Sequence, residues 1–555
     1  MGIPSYYRKL KDSVPGLVTK NKSSTTKGLY FDFNCLVYHV LTKDSVLPYP
    51  PDADDDARIA WENSLIECVL KYVRKIIGIV SPTEEVLISV DGVVPFAKMK
   101  QQRLRRFKSA LSAAGKDIGG VVTSWDRNSI TPGTYFMERL GKKLAGLGES
   151  YKGLQFIVQD ASMPGEGEQK IMAHLRSASA SGQPKDDIVI YGLDADLIVL
   201  SLLLRRDLPN ARIHLFRENI EFGEMIYDAL GEETFNFFDI NLLETHLVGR
   251  LGGGGGGGSG SSGSSGSGGD QGHILDYAMA MTFLGNDFLP HGLSQKMSEE
   301  GHDTIVSIMS DMLKSGKRLM NEDTTWNVDG VREILQRLSL TEYNDMLGNI
   351  RKKLLFNPPI REGTGADFYP AEKVEYDFFE DGGCGGIAQL RRAPLKKGWQ
   401  KTYYQNYVGY GGASVLVARA ASRHYFEGLH WIRGYYLGEQ IAFDWYYPFL
   451  LPPLWTDLLK YLDTYFAEGA AGAAAQVTDS TQANNIPKPQ EQLAMVLPLE
   501  SWWLIRDSLL RSAPYKAPQF WPSKYKLFSC GKKYMWECEA QIPLVTLRTL
   551  RRILA

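Results

Sequence analysis

Seven acidic residues, Asp32, Asp91, Glu166, Glu168, Asp194, Asp196 and Asp287, each end an apolar run or sit in a Gly/Pro-rich turn beside a helical pattern. They stand in LYFDFN, LISVDG, PGEGEQK, YGLDADLIVL and FLGNDFLP. Isolated carboxylates are usually solvated surface, but runs such as Val86-Leu87-Ile88 and Ile188-Val189-Ile190 lead straight into these. Buried charge of one sign is costly unless a cation neutralises it, and hard divalent cations prefer carboxylate oxygen. The set points to a two-metal phosphodiesterase with Mg²⁺ as the natural counter-ion. Other chemistries find less support. His174, His214, His246 and the remaining histidines lack paired spacing, and five cysteines without a CxxC pair form neither a zinc nor a disulfide framework. That cysteine usage fits a reducing compartment.

The elements that must position the acids alternate between strand and helix. Strands are expected at 28–33, 85–91, 154–159, 187–193 and 212–216, with helices at about 58–78, 97–113, 130–145 and 166–178. This is an α/β pattern: a mainly parallel central sheet flanked by helices, with ligands gathered beyond the carboxyl ends of the strands. Asp32, Asp91 and Asp194 fall at such ends. In an extended segment i and i+2 point the same way, which puts Asp194 and Asp196 on one side of a strand end. Glu166 and Glu168 share that spacing in the turn opened by Pro164-Gly165, where their charge also favours the start of the next helix. Helical patterning at 273–284 delivers Asp287, with Gly285 and Asn286 as a helix-ending turn.

Directly after Asp91, GVVPFAKMKQQRLRRFKSA places Lys98, Gln102, Arg105 and Arg106 on one helical face. A basic face is ordinarily solvated. Launched from a strand end that carries an acid, it can instead grip a phosphate, because Arg forks bind phosphate oxygens bidentately and Lys adds a point charge.

At 555 residues the chain exceeds one ordinary core, and 62 basic against 64 acidic residues leave a net charge of −2. That balance argues against a coat for nucleic acid, so any polyanion site is local. No apolar run reaches a membrane span, and MGIPSYY offers neither an apolar leader nor a myristoylation pattern. A soluble, intracellular protein without a membrane partner is expected, cytoplasmic or nuclear being left open. Residues 252–269 are a Gly/Ser spacer, either artificial or a native low-complexity loop, and 469–490 read as a second loop. An aromatic-rich segment includes HYFEGLHWIRGYY (424–436), FDWYYPFLLP (443–452) and SWWLIRDSLL (501–510).

In this order the motifs closely resemble the Xrn family of 5′→3′ exoribonucleases, within the wider 5′-nuclease group. The resemblance runs from MGIPSYYRKL through the acid motifs and DGVVPFAKMKQQRLRRFK to FEGLHWIRGYY, FDWYYP, EQLAMVLP and GKKYMWECEAQIPLV, nearly the whole chain. It implies a PIN-like catalytic region at 1–251 and 270–355, and a helical, aromatic-rich second conserved region at 356–555 that completes the pocket. It also implies that the seven acids bind two Mg²⁺ or Mn²⁺ ions and that Lys98, Gln102, Arg105 and Arg106 hold a 5′-monophosphate. The implied activity is processive 5′→3′ hydrolysis of 5′-monophosphorylated single-stranded RNA to mononucleotides, in RNA decay or processing. Family members clamp the leading bases between a His and a Trp. Here Tyr38 occupies the expected His place and His39 follows it, while FDW stands where Trp-x-Trp is expected, leaving the second wall to Trp445 or Phe443. Stacking of this kind contributes about 1–3 kcal/mol per base. Two other readings stay open. A flap or structure-specific DNA nuclease shares the acids, but no Gly-rich hairpin-helix clamp follows them here. A catalytically silent RNA-binding scaffold has no chemical reason to keep all seven acids.

Overall fold

Short, apolar, β-branched runs bounded by turns form the strands of a seven-stranded sheet. These are β1 (Val18–Thr19), β2 (Gly28–Asp32), β3 (Glu85–Ser89), β4 (Gln155–Gln159), β5 (Asp187–Tyr191), β6 (Arg212–Glu218) and β7 (Phe235–Asp239). The computed structural model describes every residue except 1–5, 23, 115–123, 184, 222–223, 253–266, 357–368, 370–371, 381–386, 409–413 and 468–485. The start of the amino-terminal motif, most of the Gly/Ser run and most of 469–490 lie outside the described residues.

Strand order is β1-β7-β6-β5-β2-β3-β4, parallel from β6 through β4 and antiparallel where β7 joins β6 and β1 joins β7. The α/β, mainly parallel sheet expected from the sequence is the one observed. β2, β3 and β5 are buried along their whole length, as parallel strands covered on both faces must be. From β2 the chain moves outward to β3 and β4, then returns to the other side of β2 as β5. The reversal makes the carboxyl ends of β2 and β5 a topological switch point, where open α/β sheets form a crevice.

The helices that matter to that crevice are α1 (Tyr6–Ser13), α2 (Asn34–Val40), α3 (Asp55–Val80), α4 (Phe96–Ala114), α5 (Tyr135–Leu147), α6 (Gly167–Ala180) and α7 (Asp196–Asp207). Caps fix where several begin. The Asp54 side chain accepts from Ala57 N in front of α3, and Thr134 accepts from Met137 N, so α5 starts later than the expected 130.

The chain forms two compact units, each assembled from separate stretches of sequence. The first comprises 1–247, 483–521 and 544–555, and the second 248–482 and 522–543. The reason is packing. Arg103, fully buried on α4, donates from Nη1 to Met495 O at 2.8 Å and from Nη2 to Phe520 O, which draws the helix Pro489–Val496 into the first unit.

The second unit is helical around aromatic side chains, matching the expected character of that region. Its helices include Ser267–Ala280, Gly301–Lys314, Val328–Leu354, Ser414–Leu437 and Trp455–Ala467. Trp431 and Trp455 are fully buried; the Trp431 indole donates to Ala442 O at 2.8 Å and the Trp455 indole to Ser294 Oγ at 3.0 Å. Among the described residues no helix is long and apolar enough to cross a membrane.

Candidate active site

Six of the seven acids gather at the switch point. The parallel register sets Asp32 of β2 beside Ser89 of β3, and Phe33 N donates to Ser89 O at 3.0 Å. Asp91 follows two residues beyond β3, its N–H reaching Asn34 Oδ1 at 3.3 Å. The turn after β3 is tied to the turn before α6: Gly92 N donates to Gly165 O at 2.9 Å, and Gly165 N to Val93 O at 2.8 Å. Gly165 has φ +106°, a backbone that favours glycine. The tie carries Glu166 and the first turn of α6 to Asp91, where Gly167 N donates to Asp91 Oδ1 at 2.7 Å. A methyl group at Gly167 would stand 2.7 Å from Asp32 Oδ1 and 3.5 Å from Asp91 Oδ1. Glycine is therefore required by the closeness of the acids themselves.

Asp194 and Asp196 reach the crevice by another route than expected. β5 ends at Tyr191, and Asp196 is the first residue of α7 rather than part of an extended strand end. The strand-spacing argument for this pair is thus corrected: a helix amino terminus, which favours negative charge, places Asp196. Arg217 Nη1 donates to Leu193 O at 3.2 Å and steadies the turn before Asp194.

Like charge without solvent shows in the titration of the cluster. Burial pushes Asp32 well above the usual carboxylate range, and the neighbouring Asp91 and Asp194 push it further while Lys98 opposes them. Glu168 is raised for the same reasons, burial first and then Glu166. Among the described residues no three acid, imidazole or thiol groups already converge as an ion's ligands. Internal partners occupy the carboxylates instead: the Lys98 ammonium lies 2.5 Å from Glu166 Oε2, and the Gly167 amide holds Asp91. The donor set, buried hard oxygens of one sign, fits Mg²⁺ or Mn²⁺ in chemistry.

Lys98 therefore faces the acids, and the other members of the expected cationic face lie further along α4. Gln102 is buried and accepts from Gln492 Nε2 at 3.5 Å, while Arg105 is half-buried. Arg106 is 9% exposed; its Nη2 donates to Thr131 Oγ1 at 3.0 Å, whereas the buried Nη1 has no hydrogen-bond partner among the described residues. Burial lowers the Arg106 pKa to about 10, and the nearby Tyr38 and Asp126 act in the opposite sense.

Tyr38 and His39, both open as stacking candidates, separate on α2. Tyr38 is 38% exposed and close enough to Arg106 to influence it. His39 turns inward: its ring packs 5.3 Å from Tyr72, with Nε2 3.7 Å from Glu218 Oε1. It is a core residue, because successive residues on a helix face different directions. Within the second unit Trp445 is 9% exposed and stacks on Trp431 at 5.1 Å, and its buried indole nitrogen has no hydrogen-bond partner among the described residues. Phe443 is half-buried. Asp287 also belongs to the second unit, in a turn formed by Gly285 at φ +84° and by Asn286, whose Oδ1 accepts from Phe288 N and Leu289 N at 2.9 Å each.

Sequence reasoning missed the residues that brace the crevice. Gln492 Oε1 accepts from Val94 N at 3.1 Å, fixing the chain between Asp91 and α4. Lys170 Nζ, buried under the acids, donates to Val90 O at 2.7 Å and Asp160 O at 3.2 Å, and burial lowers its pKa to about 8. Both lie in motifs already quoted, EQLAMVLP and PGEGEQK, which was the available signal.

Residues 1–219 match the family described as "XRN 5'-3' exonuclease N-terminus", and residues 392–555 match the one described as "Xrn1 helical domain". The protein named 5'-3' exoribonuclease 2 of Kluyveromyces lactis is 29% identical over 442 aligned residues, covering 65% of this chain and 42% of its own length. The human 5'-3' exoribonuclease 1 is 25% identical over 608, covering 99% of this chain and 34% of its own length. For 5'-3' exoribonuclease 2 of Debaryomyces hansenii the figures are 24% over 715, with 98% and 69% covered. The chain thus spans less than half the length of the first two relatives.

Proposed function

The chain belongs to the XRN 5'-3' exonuclease family, and we propose that it is a processive 5′→3′ exoribonuclease, releasing 5′-mononucleotides from 5′-monophosphorylated single-stranded RNA. One observation carries this reading. The Asp91 strand end runs directly from the acid cluster into α4, whose Arg106 keeps a buried guanidinium nitrogen without a hydrogen-bond partner among the described residues. A buried donor left unmade is costly, and a terminal phosphate is the acceptor that a guanidinium fork fits.

In this reading Asp32, Asp91, Glu166, Glu168, Asp194 and Asp196 hold two divalent cations, Mg²⁺ first. Asp287 joins them on the order of the family motifs alone. When bound, such cations supply Lewis acidity and a water activated at neutral pH. The protein does the rest. Arg105, Arg106 and Gln102 hold the 5′-phosphate, so that cleavage falls one nucleotide in. Lys98, whose ammonium lies 2.5 Å from Glu166 Oε2, would offset part of the negative charge beside such cations. Tyr38 stacks on the first base, and Trp445 or Phe443 is the candidate for the second wall on the resemblance of the motifs alone. RNA decay or processing is the corresponding role.

A side-by-side digestion tests the reading. Labelled 5′-phosphorylated RNA and a matched 5′-flap DNA are incubated with Mg²⁺ and with chelator. Mononucleotides should leave the RNA from its 5′ end only when metal is present. Preferential cleavage at the flap junction would replace this reading with a structure-specific DNA nuclease.

A further inference from the structure

The first unit holds a cavity of about 700 Å³ that none of the acids or cationic-face residues lines. Its size falls in the ordinary range of small-molecule sites, roughly 300–1,000 Å³. Two guanidinium–aromatic stacks form its walls, with Arg58 4.6 Å above the Trp503 ring and Arg506 4.3 Å above Tyr135. Arg139 and Arg511 add two further guanidiniums, against the carboxylates of Asp55 and Glu62. Cations still outnumber anions when Glu138, which pairs with Arg506 at 2.5 Å, is included.

Two polar atoms at this wall are unspent. Ser129 is fully buried and its Oγ has no hydrogen-bond partner among the described residues, and neither has the buried Nε of Arg139. Such groups are ordinarily satisfied by protein, water or ligand. Tyr135 is 62% and Trp503 41% exposed, so their rings remain open to a planar group. A flat, anionic molecule answers all of these features: its ring lies on the aromatics, its charge meets the guanidiniums, and its polar edge meets Ser129. We propose that this cavity is a second ligand site, for a 5′-mononucleotide, with the base against Tyr135 and Trp503 and the phosphate on Arg139 and Arg511.

The inference stands on the cavity and does not need the proposed activity. It does have a route to the other pocket, because the segment that lends Ser129 and Tyr135 to the cavity also lends Thr131 to Arg106.

Calorimetric titration of the full chain without RNA or metal, using 5′-AMP, adenosine and inorganic phosphate, tests it. Because 5′-AMP also suits the pocket around Arg106, the titrations use Arg105→Ala as background. There 5′-AMP should still bind one to one, and adenosine and phosphate should each bind at least about tenfold more weakly. Adding Tyr135→Ala, or separately Arg506→Gln, should weaken 5′-AMP by roughly tenfold. Both substitutions are on exposed side chains, and far-ultraviolet circular dichroism confirms folding. Loss of all 5′-AMP binding in Arg105→Ala, indifference to both added substitutions, or phosphate binding as tightly as 5′-AMP would each overturn the proposal.

Discussion

The carboxyl end of the central sheet and the helical unit around Trp431 both bury residues that a sequence marks as chemical, but they settle the cost differently. Around Trp431 the rings pack on one another. Trp431 stacks on Tyr435 at 5.0 Å and on Trp445 at 5.1 Å, and its indole N–H is satisfied by a backbone carbonyl. At the sheet end, burial and mutual repulsion push Asp32 and Glu168 upward, and Lys98 only partly relieves them. Aromatic burial stabilises a fold by itself, whereas buried charge of one sign asks for a ligand. Function is therefore argued from the second kind of region, and an aromatic motif inside the first kind is read as packing.

Breaking the acid end should have the largest effect on chemistry. Asp194→Ala combined with Asp196→Ala should lower RNA hydrolysis by about 10³-fold or more while RNA binding stays measurable by gel shift. Full activity in the double variant would remove these acids from the site. The helical unit should fail in the opposite way. Trp431→Ala should cost about 3–5 kcal/mol in denaturant unfolding, with the rate per folded molecule retained.

A smaller contrast separates the two stacking candidates. Tyr38→Ala should shorten RNA degradation runs, consistent with a stack worth about 1–3 kcal/mol, and leave stability nearly unchanged. Trp445→Ala should cost stability through its lost stack on Trp431, and a processivity defect beyond that loss would place Trp445 on the RNA path.

The gentlest test is pH. Burial, helped by Arg433, lowers His430 to about 4, below its usual 6.5. Its contribution is present above the unfolded value and lost as pH falls through about 4. Asp32 and Glu168 are raised, so their contribution is present below the ordinary carboxylate range and lost as pH rises through their raised values. Hydrogen exchange of the metal-free protein should then show α6 loosening as pH rises and the helix Ser414–Leu437 loosening as it falls. Mg²⁺ should abolish only the first trend.

Much of the sheet was legible because β2, β3 and β5 are continuous apolar runs and the acids follow them directly. β1 and β7 were not: two residues carry no period, and FNFFD does not alternate cleanly. Asp196 was read as strand because DADLIVL suits either element at that length. The cationic helix was placed correctly, but the burial of Arg103 against Met495 and Phe520 was invisible, since contacts across such sequence separation leave no local pattern.

The most direct test of the central claim is one time course on a single oligonucleotide sequence bearing a 5′-phosphate, a 5′-hydroxyl or a 5′-triphosphate, run with Mg²⁺ on the unaltered chain and on Arg105→Ala. The account predicts rapid mononucleotide release from the 5′-phosphate form only, with Arg105→Ala removing that preference. Equal rates on all three ends, or an equal loss on the 5′-phosphate and 5′-hydroxyl forms in the variant, would contradict a 5′-phosphate pocket coupled to the buried acids.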